Sequence, residues 1–143
     1  MTVNAILNTK GANVVTIEPA ATLAAAVARL AQHGIGALVV EGADKRVVGI
    51  VSERDIVRAL GERGGAVLEE PVSKIMTRKV VTCGLSDTVA AVMEQMTAGK
   101  FRHVPVIEQN RLVGIISIGD VVKQRLSEME GESAALRDYI LTA

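Results

Sequence analysis

The residues of this chain best suited to bind something lie in two short stretches, Ser52-Glu53-Arg54-Asp55 and Ser117-Ile118-Gly119-Asp120. Each follows an apolar run that opens on a glycine, Gly49-Ile50-Val51 in one and Gly114-Ile115-Ile116 in the other. The serine is a favoured N-cap and the aspartate puts a carboxylate in the first turn, so each stretch predicts a corner where a buried strand becomes a helix. Such a corner aims free backbone N–H groups and the positive end of the helix dipole past the strand end, a setting that suits an anion such as phosphate. The aspartate adds a group that can accept two hydrogen bonds from a sugar diol. One corner alone would mean little, since a capped helix with Asp in its first turn is usually only a capped helix. The pair says more, because everything around the two corners recurs as well.

The elements that must position these corners can be read in order. Val3, Ile6 and Leu7 stand at helical spacing before a break at Lys10-Gly11-Ala12-Asn13, and Val14 to Ile17 reads as a short extended piece. Thr22 can cap a helix with Leu23, Val27 and Leu30 on its apolar face, ended by Gly34. Ile35 to Val40 and Val47 to Val51 read as buried strands, and Ile56, Val57 and Leu60 as the apolar face of the helix after Ser52. Gly61 to Pro71 interrupts both periodicities and marks a seam.

After the seam the pattern restarts. Val72, Ile75 and Met76 echo Val3, Ile6 and Leu7; Val80-Val81-Thr82 echoes Val14-Val15-Thr16; Thr88 with Val89, Met93 and Met96 echoes Thr22 with Leu23, Val27 and Leu30. Val104 to Ile107 and Leu112 to Ile116 form the second strand pair, and Val121, Val122 and Leu126 a closing helix. Thr16 to Thr82 and Thr22 to Thr88 keep one offset, whereas Gly49 to Gly114 and Asp55 to Asp120 keep an offset one residue shorter. The loss falls in the turn between two strands, where a true duplication tolerates it.

The pattern predicts an α/β (α+β) fold of two β-α-β-β-α units. Neither unit is large enough to bury both faces of its sheet, so the two should pack sheet to sheet about a pseudo-twofold axis. The division is residues 1–66 with their lead-in, residues 67–126, and a helical tail over 127–143. In the tail Leu136, Tyr139 and Ile140 predict a short helix after Gly131 that packs on the body or on a second subunit.

Composition narrows the function. Of 143 residues 49% are hydrophobic, and 16 basic residues balance 16 acidic ones, so no net field draws the chain to nucleic acid or an anionic membrane. The 1% aromatic content, Phe101 and Tyr139, removes the stacking platforms of single-strand binders. A base held here must lie between aliphatic side chains. Cys83 is the only cysteine, so no intrachain disulfide forms. With no secretory start and no uncharged apolar run of about 18 residues, the expectation is a cytoplasmic protein. No Ser/His/Asp set stands in register, the two histidines and one cysteine lack metal-ligand spacing, and no Gly-rich Lys-Ser/Thr phosphate loop occurs, so neither a catalytic nor a metal site is expected.

Val15-Thr16 and Val81-Thr82 before the first helix of each unit, Arg102-His103-Val104-Pro105-Val106 at a strand, and the two Gly-hydrophobic-x-Ser-x-x-Asp corners resemble the cystathionine β-synthase (CBS) domain family. The resemblance runs to about Leu126, twice over, as in a stand-alone CBS pair, or Bateman module. It implies two clefts between the repeats, each able to hold an adenosine-containing ligand such as AMP, ADP, ATP or NAD(H). In the family the corner aspartate binds the ribose hydroxyls, the hydroxyl residue approaches the phosphates and aliphatic strand residues flank the adenine.

Carried over, one site uses Asp55 with Ser52 and Arg54, backed by Val81, Arg102 and His103. The other uses Asp120 with Ser117, backed by Val15, Gly36, Ala37 and Lys10. Met76 is the methionine placed to touch a ligand. The first repeat has Gly36-Ala37-Leu38-Val39 where the second has Arg102-His103-Val104-Pro105, so the two sites should differ chemically. The resemblance also implies a homodimer, because paired modules of this family commonly stack into a flat disc. It names no downstream protein, and the alternative is a dimerising scaffold that binds no ligand.

Overall fold

In a computed structural model, which describes residues 1–142, the chain runs α1 (Val3–Lys10), β1 (Thr16–Ile17), α2 (Leu23–His33), β2 (Ala37–Glu41), β3 (Val47–Ser52), α3 (Glu53–Arg63), α4 (Val89–Gly99), β4 (His103–Glu108), β5 (Arg111–Ser117) and α5 (Ile118–Thr142). The mixed α/β architecture of two repeated units is thus the one expected. Their sheets have the order β1-β2-β3 and β4-β5. Thr22 and Thr88 cap their helices as the sequence predicts, each hydroxyl accepting the N–H three residues on at 3.1 Å.

Strand register confirms where the duplication lost a residue. Val39 pairs with Ile50 and its repeat counterpart Pro105 pairs with Ile115, so the deletion lies between those partners. The second repeat closes this hairpin over Gln109 and Asn110, both at positive φ, which is the backbone of a tight two-residue turn. The first strand of the second repeat is shorter than expected. Only Cys83 joins the sheet, through a single parallel bridge to Val106, whereas Val80 to Thr82 stay outside it.

Two cores form, and the lead-ins cross between them. Val3, Ile6 and Leu7 of α1 pack with Val89, Val104, Ile116 and Val121, all from the second repeat. Val72 and Met76, which open the second repeat, pack with Leu23, Leu38, Val51 and Ile56 of the first. This exchange demands close approach at two glycines. A Cβ on Gly49 would meet the Met76 Sδ at 2.5 Å and the Thr77 carbonyl oxygen at 3.0 Å, and one on Gly114 would meet the Leu7 Cδ1 at 2.6 Å. These are the glycines that open the two corners, so the corners sit where the repeats lock together.

Some expected core residues are on the surface. Val27, Val57, Met93, Val122 and Leu126 are exposed, because each helix buries one stripe against its own sheet and turns the flank of its apolar face outward. The tail also differs from the expected short helix. α5 runs unbroken through Gly131, and Leu136, Tyr139 and Ile140 are 60%, 71% and 65% exposed, so they do not pack on the body. Of the predicted tail, Ala143 lies outside the described residues. No helix among the described residues is long and apolar enough to cross a membrane.

Candidate functional site

Each corner is built as a capping box. At the first, the Asp55 Oδ2 accepts the Ser52 N–H at 2.9 Å and the Ser52 hydroxyl at 3.0 Å, while the Ser52 Oγ accepts the Asp55 N–H at 3.2 Å. At the second, the Asp120 Oδ2 accepts the Ser117 N–H at 2.9 Å and the Ser117 Oγ accepts the Asp120 N–H at 3.2 Å. Both carboxylates are thus held rigidly at the first turn of a helix, half-buried, with the dipole behind them. The capped-helix reading is therefore correct as far as it goes, and it occupies one oxygen of each carboxylate.

The two corners differ in what the crossing lead-in brings to them. At the second, the Lys10 Nζ donates to the Asp120 Oδ2 at 2.7 Å and to the Ile115 carbonyl at 2.9 Å. Burial alone would raise the Asp120 carboxyl; the Lys10 hydrogen bond and the Ser117 N–H outweigh it and hold the group below the usual carboxylate range. At the first corner Met76, the repeat counterpart of Leu7, lies with its thioether against Gly49, and Lys79, which stands three residues on as Lys10 does from Leu7, makes no ion pair with Asp55. There the main chain makes the contact instead, Ile50 and Thr77 exchanging N–H to carbonyl bonds at 3.0 and 2.8 Å. One corner therefore carries an ion pair, and the other a carboxylate that no lysine engages.

His103 sits between the corners. Its backbone pairs with Ser117, and its ring lies near Gly36 and Glu53, because a Cβ on Gly36 would stand 3.7 Å from the His103 Cε1 and 3.3 Å from the Glu53 Oε1. Burial lowers its pKa, as does the Lys10 ammonium, against the opposing pull of Asp120 and Glu53. His103, assigned by sequence to the Asp55 site, is thus within the field of Asp120 and Lys10 as well. Ala37 is buried and pairs with Ser52. Val15 is half-buried, and Arg54, Val81 and Arg102 are exposed. Glu53 was not singled out from sequence. The signal was the contrast between the repeats, since Glu53 stands where the second has Ile118.

Elsewhere, a groove of about 490 Å³ runs between α2 and α3, walled by Val27, Leu30, Ile56 and Val57 and reaching Gly36 and Glu53. Cys83 is buried, and that burial, with Asp87 beside it, pushes its thiol up to about 12. Among the described residues no three His, Cys, Asp or Glu side chains come together to hold a metal ion.

The sequence profile of the CBS domain matches residues 3–62 and again 72–127. The fold is similar to the crystal structure of a CBS-domain-containing protein from Agrobacterium tumefaciens, 50% identical, with a TM-score of 0.83 over 87% of this chain and 92% of that one. It is also similar to a CBS domain protein from Pyrobaculum aerophilum complexed with AMP, 32% identical, TM-score 0.76, over 84% of this chain and 89% of that one. A third similar structure is the CBS domain pair of protein MJ0100 in complex with 5′-methylthioadenosine and S-adenosyl-L-methionine, 26% identical, TM-score 0.80, over 90% and 98% of the two chains. Curated relatives are longer: the chain spans 68% of one from Acidianus ambivalens and 58% of one from Arabidopsis thaliana.

Proposed function

The chain belongs to the CBS domain family as a tandem pair of repeats, and from that premise we propose that it is a regulatory, non-catalytic module binding an adenosine-containing ligand, AMP, ADP, ATP or NAD(H), between its repeats. The observation that carries the reading is the pair of rigid Ser-x-x-Asp corners at helix N-termini, each set where the other repeat's lead-in crosses. A nucleoside offers a diol, an apolar base and, in nucleotides, an anion; the corner offers a fixed carboxylate, aliphatic neighbours and the positive end of a helix dipole, although the first-turn N–H groups of Glu53, Asp55, Ile118 and Asp120 are already paired within the fold. Relatives solved with AMP and with S-adenosylmethionine share only the adenosine part of their ligands, which supports adenosine as the common determinant.

In this reading the Asp55 corner fills first. Its site takes Ser52, Arg54, Met76, Val81, Arg102 and His103, and Glu53 joins them from the same helix turn. The Asp120 corner, with Ser117, Val15, Gly36, Ala37 and Lys10, fills only when Lys10 leaves the carboxylate. A ligand bridging the repeats favours one relative orientation of them, and that shift in population is what a partner protein reads. The module works as a homodimer, covering the exposed flanks of its helix pairs, in the cytoplasm, where its lone cysteine stays reduced.

Thermal melting against AMP, ADP, ATP, NAD⁺, NADH and S-adenosylmethionine tests the reading. A ligand held only by the folded state, at about 100 times its Kd, adds about 2.7 kcal/mol of stability. A selective rise in Tm with one or two of the six supports the sensor. No rise with any, from protein stripped of carried-over nucleotide, transfers the assignment to a ligand-free dimerising scaffold.

A further inference from the structure

α5 carries an apolar stripe that the body does not use. Val122, Leu126, Met129, Leu136 and Ile140 are 45%, 54%, 61%, 60% and 65% exposed. Their spacing alternates four and three residues, with Ser133 completing the series, which is the period of a two-stranded coiled-coil seam. Leu126, Ser133 and Ile140 take the a positions, and Val122, Met129 and Leu136 the d positions. Gly131, which costs a helix about 1 kcal/mol relative to alanine, falls at f, on the side away from the seam. Residues 129–142 are exposed throughout. A helical arm of that length, holding a glycine and exposed along its whole length, is marginal in water on its own.

The charges beside the stripe say what covers it. The charged g positions are Arg125 and Glu132, and the e positions that follow each by five residues are Glu130 and Arg137. In a parallel, in-register pair g faces the e of the other helix, giving Arg125 opposite Glu130 and Glu132 opposite Arg137, both attractive. Run antiparallel, the same seam sets Glu130 against Glu130 and Glu132 against Glu132, both repulsive. Arg125 also donates to Glu128 of its own helix at 3.0 Å, so the Glu132 to Arg137 pair is the cleaner determinant. We propose that a second copy of this chain packs along this stripe, the two α5 helices parallel and in register, forming a short coiled coil beyond the body. Nucleotide binding plays no part in it, and it is separable from any contact between the helix flanks of the body.

Oxidative cross-linking of the full chain tests it, because Cys83 is buried and leaves a silent background. Met129→Cys and Leu136→Cys should each cross-link to a second copy of itself, and Asp138→Cys, at the outward f position, should not. Equal cross-linking at Asp138→Cys overturns the proposal, and so does cross-linking between Met129→Cys and Ser133→Cys chains when neither links to itself, the signature of an antiparallel pair. In sedimentation, Glu132→Arg should weaken dimerisation about tenfold, and adding Arg137→Glu should restore it. A dimer indifferent to both changes joins through its body and not through α5.

Discussion

The aspartate of each corner serves the helix whether or not it serves a ligand, and Asp55→Asn separates the two roles. The Asp55 Oδ2 accepts two hydrogen bonds from Ser52. Asp55→Ala deletes that acceptor and should cost about 1 kcal/mol, the usual value of a cap, or roughly 3–5 °C in Tm for a chain of this size. Asp55→Asn leaves a carbonyl oxygen in place and loses the negative charge at the helix N-terminus, about 0.5 kcal/mol. For a ligand the ranking differs. With its one oxygen engaged by Ser52, the amide turns a donor-only NH2 toward the ribose, and the lost charge-assisted bond should cost about 2 kcal/mol, roughly 30-fold in Kd. At a ligand concentration giving the wild type about 2.7 kcal/mol of stabilisation, Asp55→Asn should therefore show about 0.9 kcal/mol. Calorimetric titration and melting, each with and without ligand, read the two effects independently. If Asp55→Asn keeps the wild-type ligand response, Asp55 is a cap and nothing more, and the site assignment fails. Asp120→Asn should act in the same way on the second, weaker site.

Three further outcomes are expected. Stability should fall in acid through two groups: Asp120 is held below its ordinary pKa and His103 below 6.5, so the unfolded chain takes up protons first at both as pH drops. The His103 contribution should fade below about pH 6.5 and the Asp120 contribution at lower pH, with Lys10→Met raising the Asp120 pKa in a carboxylate NMR titration; an unmoved resonance would contradict the ion pair. Gly114→Ala should destabilise by about 1–3 kcal/mol through contact with Leu7, and Gly114→Ala with Leu7→Ala should cost less than the sum of the singles in a denaturation cycle; strict additivity would mean the two do not touch. Cys83, buried with its thiol pushed up to about 12, should react with a thiol reagent only as fast as the protein opens, and rapid modification under native conditions would place it at the surface.

What could be read from the sequence was whatever is local or repeated. Thr22 and Thr88, Ser52 and Ser117 each announce a helix start by residue type, and the matching offsets carry the second repeat almost without further evidence. Periodicity reports that a face is apolar, not what covers it. It could not reveal that Leu7 would pack on Gly114 in the other repeat, nor that Val27 and Val57 would wall a surface groove instead of a core. That the corners differ, and that Lys10 belongs with Asp120, was implied by the family resemblance; that Lys10 would pair directly with a carboxylate 110 residues away was not. Crossing lead-ins explain why that difference matters. Each corner is completed by the segment that opens the other repeat: Leu7 and Met76 press on the corner glycines alike, and the lysine three residues after Leu7, Lys10, pairs with Asp120, whereas Lys79 at the matching place after Met76 does not pair with Asp55. A duplicated fold thereby acquires two unlike sites without altering either capping box. The same crossing ties occupancy of a corner to the packing between the repeats, since a ligand that displaces Lys10 from Asp120 also releases it from the Ile115 carbonyl, in the strand against which α1 is docked.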